Sequence, residues 1–118
     1  MSMVFNNEIG DIIISPNAIA KIAGAVATKC YGVVGMASRN KKDGLVSLLK
    51  TDNLTKGVKV VSDKEGISIV LHIIVEYGVN INAICESIIH NVEYQIEKSL
   101  GTKVNKVTVQ VESVRVGH

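Results

Sequence analysis

The sequence predicts an α+β fold, a two-layer sandwich in which a mixed β-sheet carries two long helices on one face. The expected order is β-α-β-(short helix)-β-β-α-β. Three observations lead there. Two stretches, 16–30 and 80–100, repeat apolar residues at helical spacing. Val- and Ile-rich runs elsewhere alternate with polar residues or flank a turn cluster. No linker and no internal repeat interrupts the 118 residues, a length suited to one compact domain. The domain is expected over 8–118, with 1–7 as a flexible N-terminal tail.

Taken in order, "EIGDIII" reads as a strand that stops at "SPN". Ser15 suits an N-cap and Pro16 the first helical position, so a helix is expected from Pro16 to Cys30. At about 100° per residue, Ile19, Ile22, Ala23, Val26 and Cys30 share its apolar face, with Lys21, Gly24 and Thr28 opposite. "YGVVGMAS" reads as a second strand, "RNKKDG" as a polar loop, and "LVSLLKTDN" as a short helix. "GVKVVSDKEGISIVLHIIVEYG" carries a hairpin signal, two Val/Ile runs around a Ser-Asp-Lys-Glu-Gly cluster. In its longer strand Ile67, Ile69, Leu71, Ile73 and Val75 form a core face, and Ser68, Val70, His72, Ile74 and Glu76 a mixed one. The second helix runs from about Asn80 or Asn82 to Leu100 with Gly101 as its stop. "KVNKVTVQVESVRV" closes the chain as an alternating strand, Val107, Val109 and Val111 to one side and Lys106, Thr108, Gln110 and Glu112 to the other.

Composition narrows the function classes. Thirteen basic against eleven acidic residues give a net charge of +2, too balanced to announce a nucleic-acid or membrane-surface protein. Cys30 and Cys85 have no CxxC spacing and no companion His, and read as reduced, buried thiols of a cytosolic protein. The N-terminus lacks a basic region followed by an apolar one, and the apolar window "ISIVLHIIV" is far too short to span a bilayer. A soluble chain is expected, with any membrane association made through a partner.

Three constellations invite a chemical reading. Glu86, His90, Glu93 and Glu97 lie on one stripe of the second helix, the pattern of a metal or proton site. Ile84, Cys85, Ile88, Val92 and Ile96 occupy nearly the opposite side and must face the sheet. The acidic stripe is therefore a solvated face first, a partner surface second, and a metal site last. His72 sits between Val70 and Ile74 on the mixed strand face; a lone His there is ordinarily structural, because a general base needs a nucleophile or an orienting group beside it. The face itself, with Val70, His72 and Ile74, is a candidate interaction surface if nothing covers it. Whether the segment around Leu45 to Leu49 does so decides how much is available. Arg39, Lys41 and Lys42 form a weak candidate contact for phosphates, without an aromatic partner for base stacking. No GxGxxG, GxxxxGK[ST] or GxxG signature is present, and nothing joins a nucleophile, a base and an oxyanion donor. No catalytic, cofactor or metal residue is assigned.

Two stretches resemble a known family. "GDIIISPNAIAKIAGAVATKCYGVVGM" is similar to the opening of the alkaline shock protein family of Gram-positive bacteria, a short strand, a helix of the form V/I-x-x-I-A-x-x-A and a Gly-Val pair. Ile19, Ile22, Ala23, Val26, Gly32 and Val33 occupy that pattern. "VEYGVNINAICESIIHNVEYQIEKSLGTKVNKVTVQVESV" resembles the family's other half through its Tyr-Gly-Val, Val92, Ile96, Gly101 and the closing V-x-x-V-x-V-x-V strand. The likeness covers Gly10 to Val114, while "RNKKDGLVSLLKTDN" matches poorly. It implies a small non-enzymatic protein linked to cell-envelope stress, close to a housekeeping branch of the family. It also implies protein partners, an integral-membrane anchor among them, and self-association. The expected function is an interaction or scaffold protein at the inner side of the envelope; the alternative is an RNA- or ribosome-associated α/β module.

Overall fold

The computed structural model describes residues 3–6, 11–39, 46–49, 55–63, 66–101 and 103–116. Its strands are β1 (Met3–Asn6), β2 (Asp11–Ile14), β3 (Val33–Arg39), β4 (Val46–Leu48), β5 (Val58–Asp63), β6 (Gly66–Glu76) and β7 (Val104–Arg115). Helix α1 (Pro16–Thr28) follows β2, and α2 (Ile81–Leu100) joins β6 to β7.

The eleven-residue β6 is the spine. It pairs in parallel with β7 along 67–76, which occupies one of its two edges. The other edge is shared end to end: β5 pairs antiparallel with the first half of β6, and β3 with Ile73–Val75. The sheet is thus mixed, as the sequence predicts. Parallel pairing of β6 and β7 requires a crossover. A 20-residue helix of about 30 Å returns the chain along a strand of about 36 Å, and α2 does so.

Both helices cover one face. Alternate residues of β6, Ile67, Ile69, Leu71, Ile73 and Val75, meet Ile84, Ile88, Val92 and Ile96 of α2 in one core, joined by Ile19, Ala23 and Ala27 of α1. Fully burying one such aliphatic side chain stabilises by roughly 1.5–3 kcal/mol. The helix ends follow the sequence signals. Ser15 Oγ accepts from Ala18 N at 3.2 Å, with Pro16 beginning the helix. Asn80 Oδ1 accepts from Ala83 N at 3.1 Å, and Gly101 ends α2 at φ 70°, a conformation that favours glycine.

Four expectations are corrected. Met3–Asn6 is not a loose tail but a strand, pairing Val4 with Ile13 and Phe5 with Ile12, partners with strong β preference. The β1–β2 ladder is a two-stranded sheet of its own, so β2 does not join the main sheet. The short helix anticipated in "LVSLLKTDN" is instead strand β4 at Val46–Leu48, held by β3; tertiary pairing outweighs the weak helical pattern. In α1 the buried face is Ile19, Ala20, Ala23, Gly24 and Ala27, so Gly24 lies inside rather than opposite. Ile22, Val26 and Cys30 are half-buried on the flank toward α2, where Asn91 Nδ2 lies 3.7 Å from Cys30 Sγ. The helix packs on two neighbours at once, and its small residues take the closer approach to the sheet.

The ribbon β3–β4 decides the fate of the second sheet face. Although β3 and β6 stand between β4 and β7 in the hydrogen-bonded order, Arg115 Nη2 donates to Val46 O at 3.5 Å. The ribbon therefore curls back over this face. Ala37 within it and Ile74 beneath it are 0% exposed, and a Cβ at Gly35, the partner of Ile74, would stand 2.8 Å from Leu48 Cδ1.

Candidate functional site

The mixed face is thus split. Ile74, anticipated as an accessible interaction residue, is sealed under Leu48 and belongs to no surface. Val70 and His72 remain half-buried and reachable. The segment around Leu45 to Leu49 covers the face at its Ile74 end through Leu48 of β4, while Leu49 packs against the core on the helix side; Leu45 itself lies outside the described residues.

His72 has a partner that no sequence spacing shows. Its Nδ1 lies 3.1 Å from Glu112 Oε1, and the Glu112 side chain is only 4% exposed. In β7 the register slips between the partners of Ile73 and Ile74, leaving Glu112 as the extra residue of a β-bulge. A bulge re-aims a side chain, here toward His72. With a proton on Nδ1, His72 donates to the buried carboxylate. A carboxylate that orients an imidazole is half of a hydrolytic arrangement; among the described residues no hydroxyl or thiol is hydrogen-bonded to this imidazole.

The α2 stripe comes apart under geometry. Glu86 and His90 are exposed, Glu93 and Glu97 half-buried. Glu97 Oε2 accepts from Val104 N at 3.2 Å and so fastens the end of α2 to the start of β7. Among the described residues no three of His, Cys, Asp and Glu stand close enough to hold a metal ion. Arg39 ends β3, while Lys41 and Lys42 lie outside the described residues.

Both thiols are free. Cys30 lines a shallow groove of about 260 Å³ between the helices, with Val26, Lys29, Asn91, Tyr94 and Gln95. A second hollow of about 220 Å³ lies beside the start of α1. Both fall below the roughly 300–1,000 Å³ of ordinary small-molecule sites. Burial pushes the Cys85 thiol above its ordinary pKa. The folded state favours the protonated thiol, so the associated stability is present below the pKa of the unfolded chain and is lost as pH rises through the raised value. Alkylation of Cys85 by iodoacetamide at mildly alkaline pH should be slower in the folded protein than in the urea-unfolded chain. Peptide mass spectrometry reads both rates; equal rates would contradict the burial.

One surface was missed by periodicity. Five of the eight large hydrophobic residues exposed among the described residues gather at one end of the molecule: Tyr31, Tyr77, Ile81, Val114 and Val116. Their meeting is enforced by the backbone. Glu76 N donates to Gly32 O at 2.9 Å, which sets Tyr31 beside Tyr77, and Tyr77 N donates to Arg115 O at 2.8 Å, which brings Val114 and Val116 alongside. Ile81 begins α2 four residues after Tyr77. Tyr31 is 85% and Tyr77 78% exposed. With aromatic side chains presenting roughly 150–250 Å² each, the two tyrosines alone expose on the order of 300 Å², comparable to the largest patch of many monomers. The signal legible in the sequence is a doublet: each of these tyrosines opens a Tyr-Gly-Val, in "CYGVVG" and "EYGVNI". Both glycines take positive φ, 85° at Gly32 and 90° at Gly78, so each tyrosine sits in a turn at a strand end.

Comparison with known proteins gives the chain a family and relatives. Residues 4–116 match the model of the alkaline shock protein 23 family, described as having a cell envelope-related function. The chain is similar to the uncharacterized protein YloU of Bacillus subtilis, 40% identical with 98% of each chain covered. It is similar to the uncharacterized protein Spy1614 of Streptococcus pyogenes serotype M6, 38% identical over 98% of this chain and 97% of that one. A more distant likeness, 27% identical over 93% and 81%, is to the uncharacterized protein YqhY of Bacillus subtilis. No solved structure matches the chain.

Proposed function

Since the chain belongs to the alkaline shock protein 23 family, with its cell envelope-related function, we propose that it is a non-enzymatic adaptor that acts through protein–protein contacts at the inner side of the envelope. No helix among the described residues is long and apolar enough to cross a membrane, and in this reading an integral-membrane partner supplies the anchor.

The observation that carries the reading is the Tyr31–Tyr77 end surface. Exposed tyrosines flanked by aliphatic residues and by Arg115 have the composition of binding hot spots, where aromatic and arginine residues dominate. Such a patch costs solubility and is retained where something covers it. The His72–Glu112 pair and the Glu97–Val104 contact serve the fold in this reading, and the small hollows leave little room for a substrate.

The test is capture from native cells with a tagged protein, membrane and soluble fractions analysed separately by mass spectrometry. The double substitution Tyr31→Ser/Tyr77→Ser should keep the far-UV circular dichroism spectrum and lower recovery of the envelope partner by roughly tenfold or more. Equal recovery by the folded variant removes this surface from consideration. Recovery of ribosomal proteins, lost after nuclease treatment, would favour the RNA-associated alternative instead.

A further inference from the structure

The longest unpaired edge among the described residues belongs to β7. Its twelve residues pair with β6 alone, so on its outer side every second residue presents an N–H and a C=O to solvent. Arg115 O accepts from Tyr77 N, which turns the backbone groups of Val114 and Val116 outward, next to the tyrosine patch. Bulges at Asn105 and Glu112 interrupt the register, and between them Lys106–Val111 pairs with Ser68–Ile73 without a break. That run of six residues is the flat part of the edge.

Its two faces specify what fits. On the helix side Val109 and Val111 are only half-buried. Asn91 of α2 points to α1, so Ile89, about 160° around the helix, overhangs the β7 side and is likewise half-buried. The three form an apolar ledge that one more strand would complete. On the opposite face the exposed residues are Lys106, Thr108 and Gln110, with Lys103 and Arg115 at the ends. The strand's one acidic residue, Glu112, has its side chain turned inward against His72. The edge is therefore positive outside and aliphatic inside.

We propose that the outer edge of β7 is a strand-addition site for an extended segment of a partner protein in which aliphatic residues alternate with acidic ones. This rests on the adaptor reading and names the chemistry of its partner. An added strand pairs the outward N–H and C=O groups, which a lipid surface would leave unsatisfied. A second copy brings the same basic residues to the shared edge, whereas acidic side chains answer Lys106 directly.

The probe is a blocked nine-residue peptide of alternating valine and glutamate, titrated into the full-length ¹⁵N-labelled protein. Controls are the valine/lysine peptide and a valine/glutamate peptide N-methylated at every residue, which leaves no N–H on either edge to pair. Saturable amide shifts confined to Lys106–Val111, Ile89 and Val114–Val116 are expected, absent with either control. Lys106→Glu, at an exposed position, should weaken the acidic peptide roughly fivefold, the scale of one exposed ion pair, and admit the lysine peptide. Binding by the N-methylated peptide, shifts elsewhere, or no saturable binding overturns the proposal. So does occupation of the same edge by a second copy, seen as concentration-dependent shifts without peptide, or by anionic vesicles of phosphatidylglycerol. The adaptor reading fails separately, when the folded Tyr31→Ser/Tyr77→Ser variant captures its partner unchanged.

Discussion

Ile74→Lys is expected to abolish the stable fold at room temperature, while Val70→Lys, four residues away on the same strand face, is tolerated. The two positions look equivalent along the strand, and the ribbon makes them different. Ile74 is 0% exposed, paired with Gly35 and roofed by Leu48. A lysine there must either bury its ammonium without a partner or lift β4 away from β3. Either outcome costs several kcal/mol, a large share of the roughly 5–15 kcal/mol that holds a domain together. Val70 is half-buried beside Lys59 and Thr108, so a lysine can lie along the sheet and keep its charge in water. Its expected cost is under about 1 kcal/mol. Urea denaturation followed by circular dichroism measures both. Comparable stability of the two variants would mean that the β3–β4 ribbon does not close over the face.

Gly32→Ala is expected to destabilise by about 2–4 kcal/mol, and Gly78→Ala by only about 1–2 kcal/mol. Both glycines follow an exposed tyrosine and hold nearly the same positive φ, so the backbone strain of an added Cβ is shared. Their surroundings differ. A Cβ at Gly32 would collide with Ile84 Cδ1 and stand 3.4 Å from Val79 Cγ1, whereas at Gly78 nothing lies within 4 Å. Ile84 is itself a core residue at the start of α2, so it can yield only by disturbing the packing it contributes. The difference between the two midpoints in urea, at constant slope, isolates the steric part. Equal midpoints would show that Ile84 moves aside without penalty. Gly32→Ala would also move Tyr31 relative to Tyr77, so loss of partner capture by the folded variant would link the turn to the end surface.

Much of the fold could be read from local pattern. The core face of β6, the α2 stripe of Ile84, Ile88, Val92 and Ile96, the cap Ser15 and the stop at Gly101 all follow from period and capping chemistry, which neighbouring residues determine among themselves. Where a segment is short, local pattern fails. Val46–Leu48 has too few residues to display a period, and its strand conformation depends on β3 being alongside. Met3–Asn6 likewise becomes a strand through its ladder with β2. In α1 the apolar stripe alone could not separate the sheet-facing side from the α2-facing flank, because both neighbours accept apolar residues.

By itself, then, the sequence determined the α+β class, the two long helices, the central hairpin and the family, since each rests on spacing along the chain. Only the tertiary structure decided that Ile74 is sealed and Val70 is open, that Glu112 turns to His72 from a bulge, and that Glu97 fastens Val104. It alone gathered Tyr31, Tyr77, Val114 and Val116 at one end. These are meetings of residues 7 to 85 positions apart. Hydrogen bonds across strands and a curled ribbon create them, and neither leaves a period in the sequence.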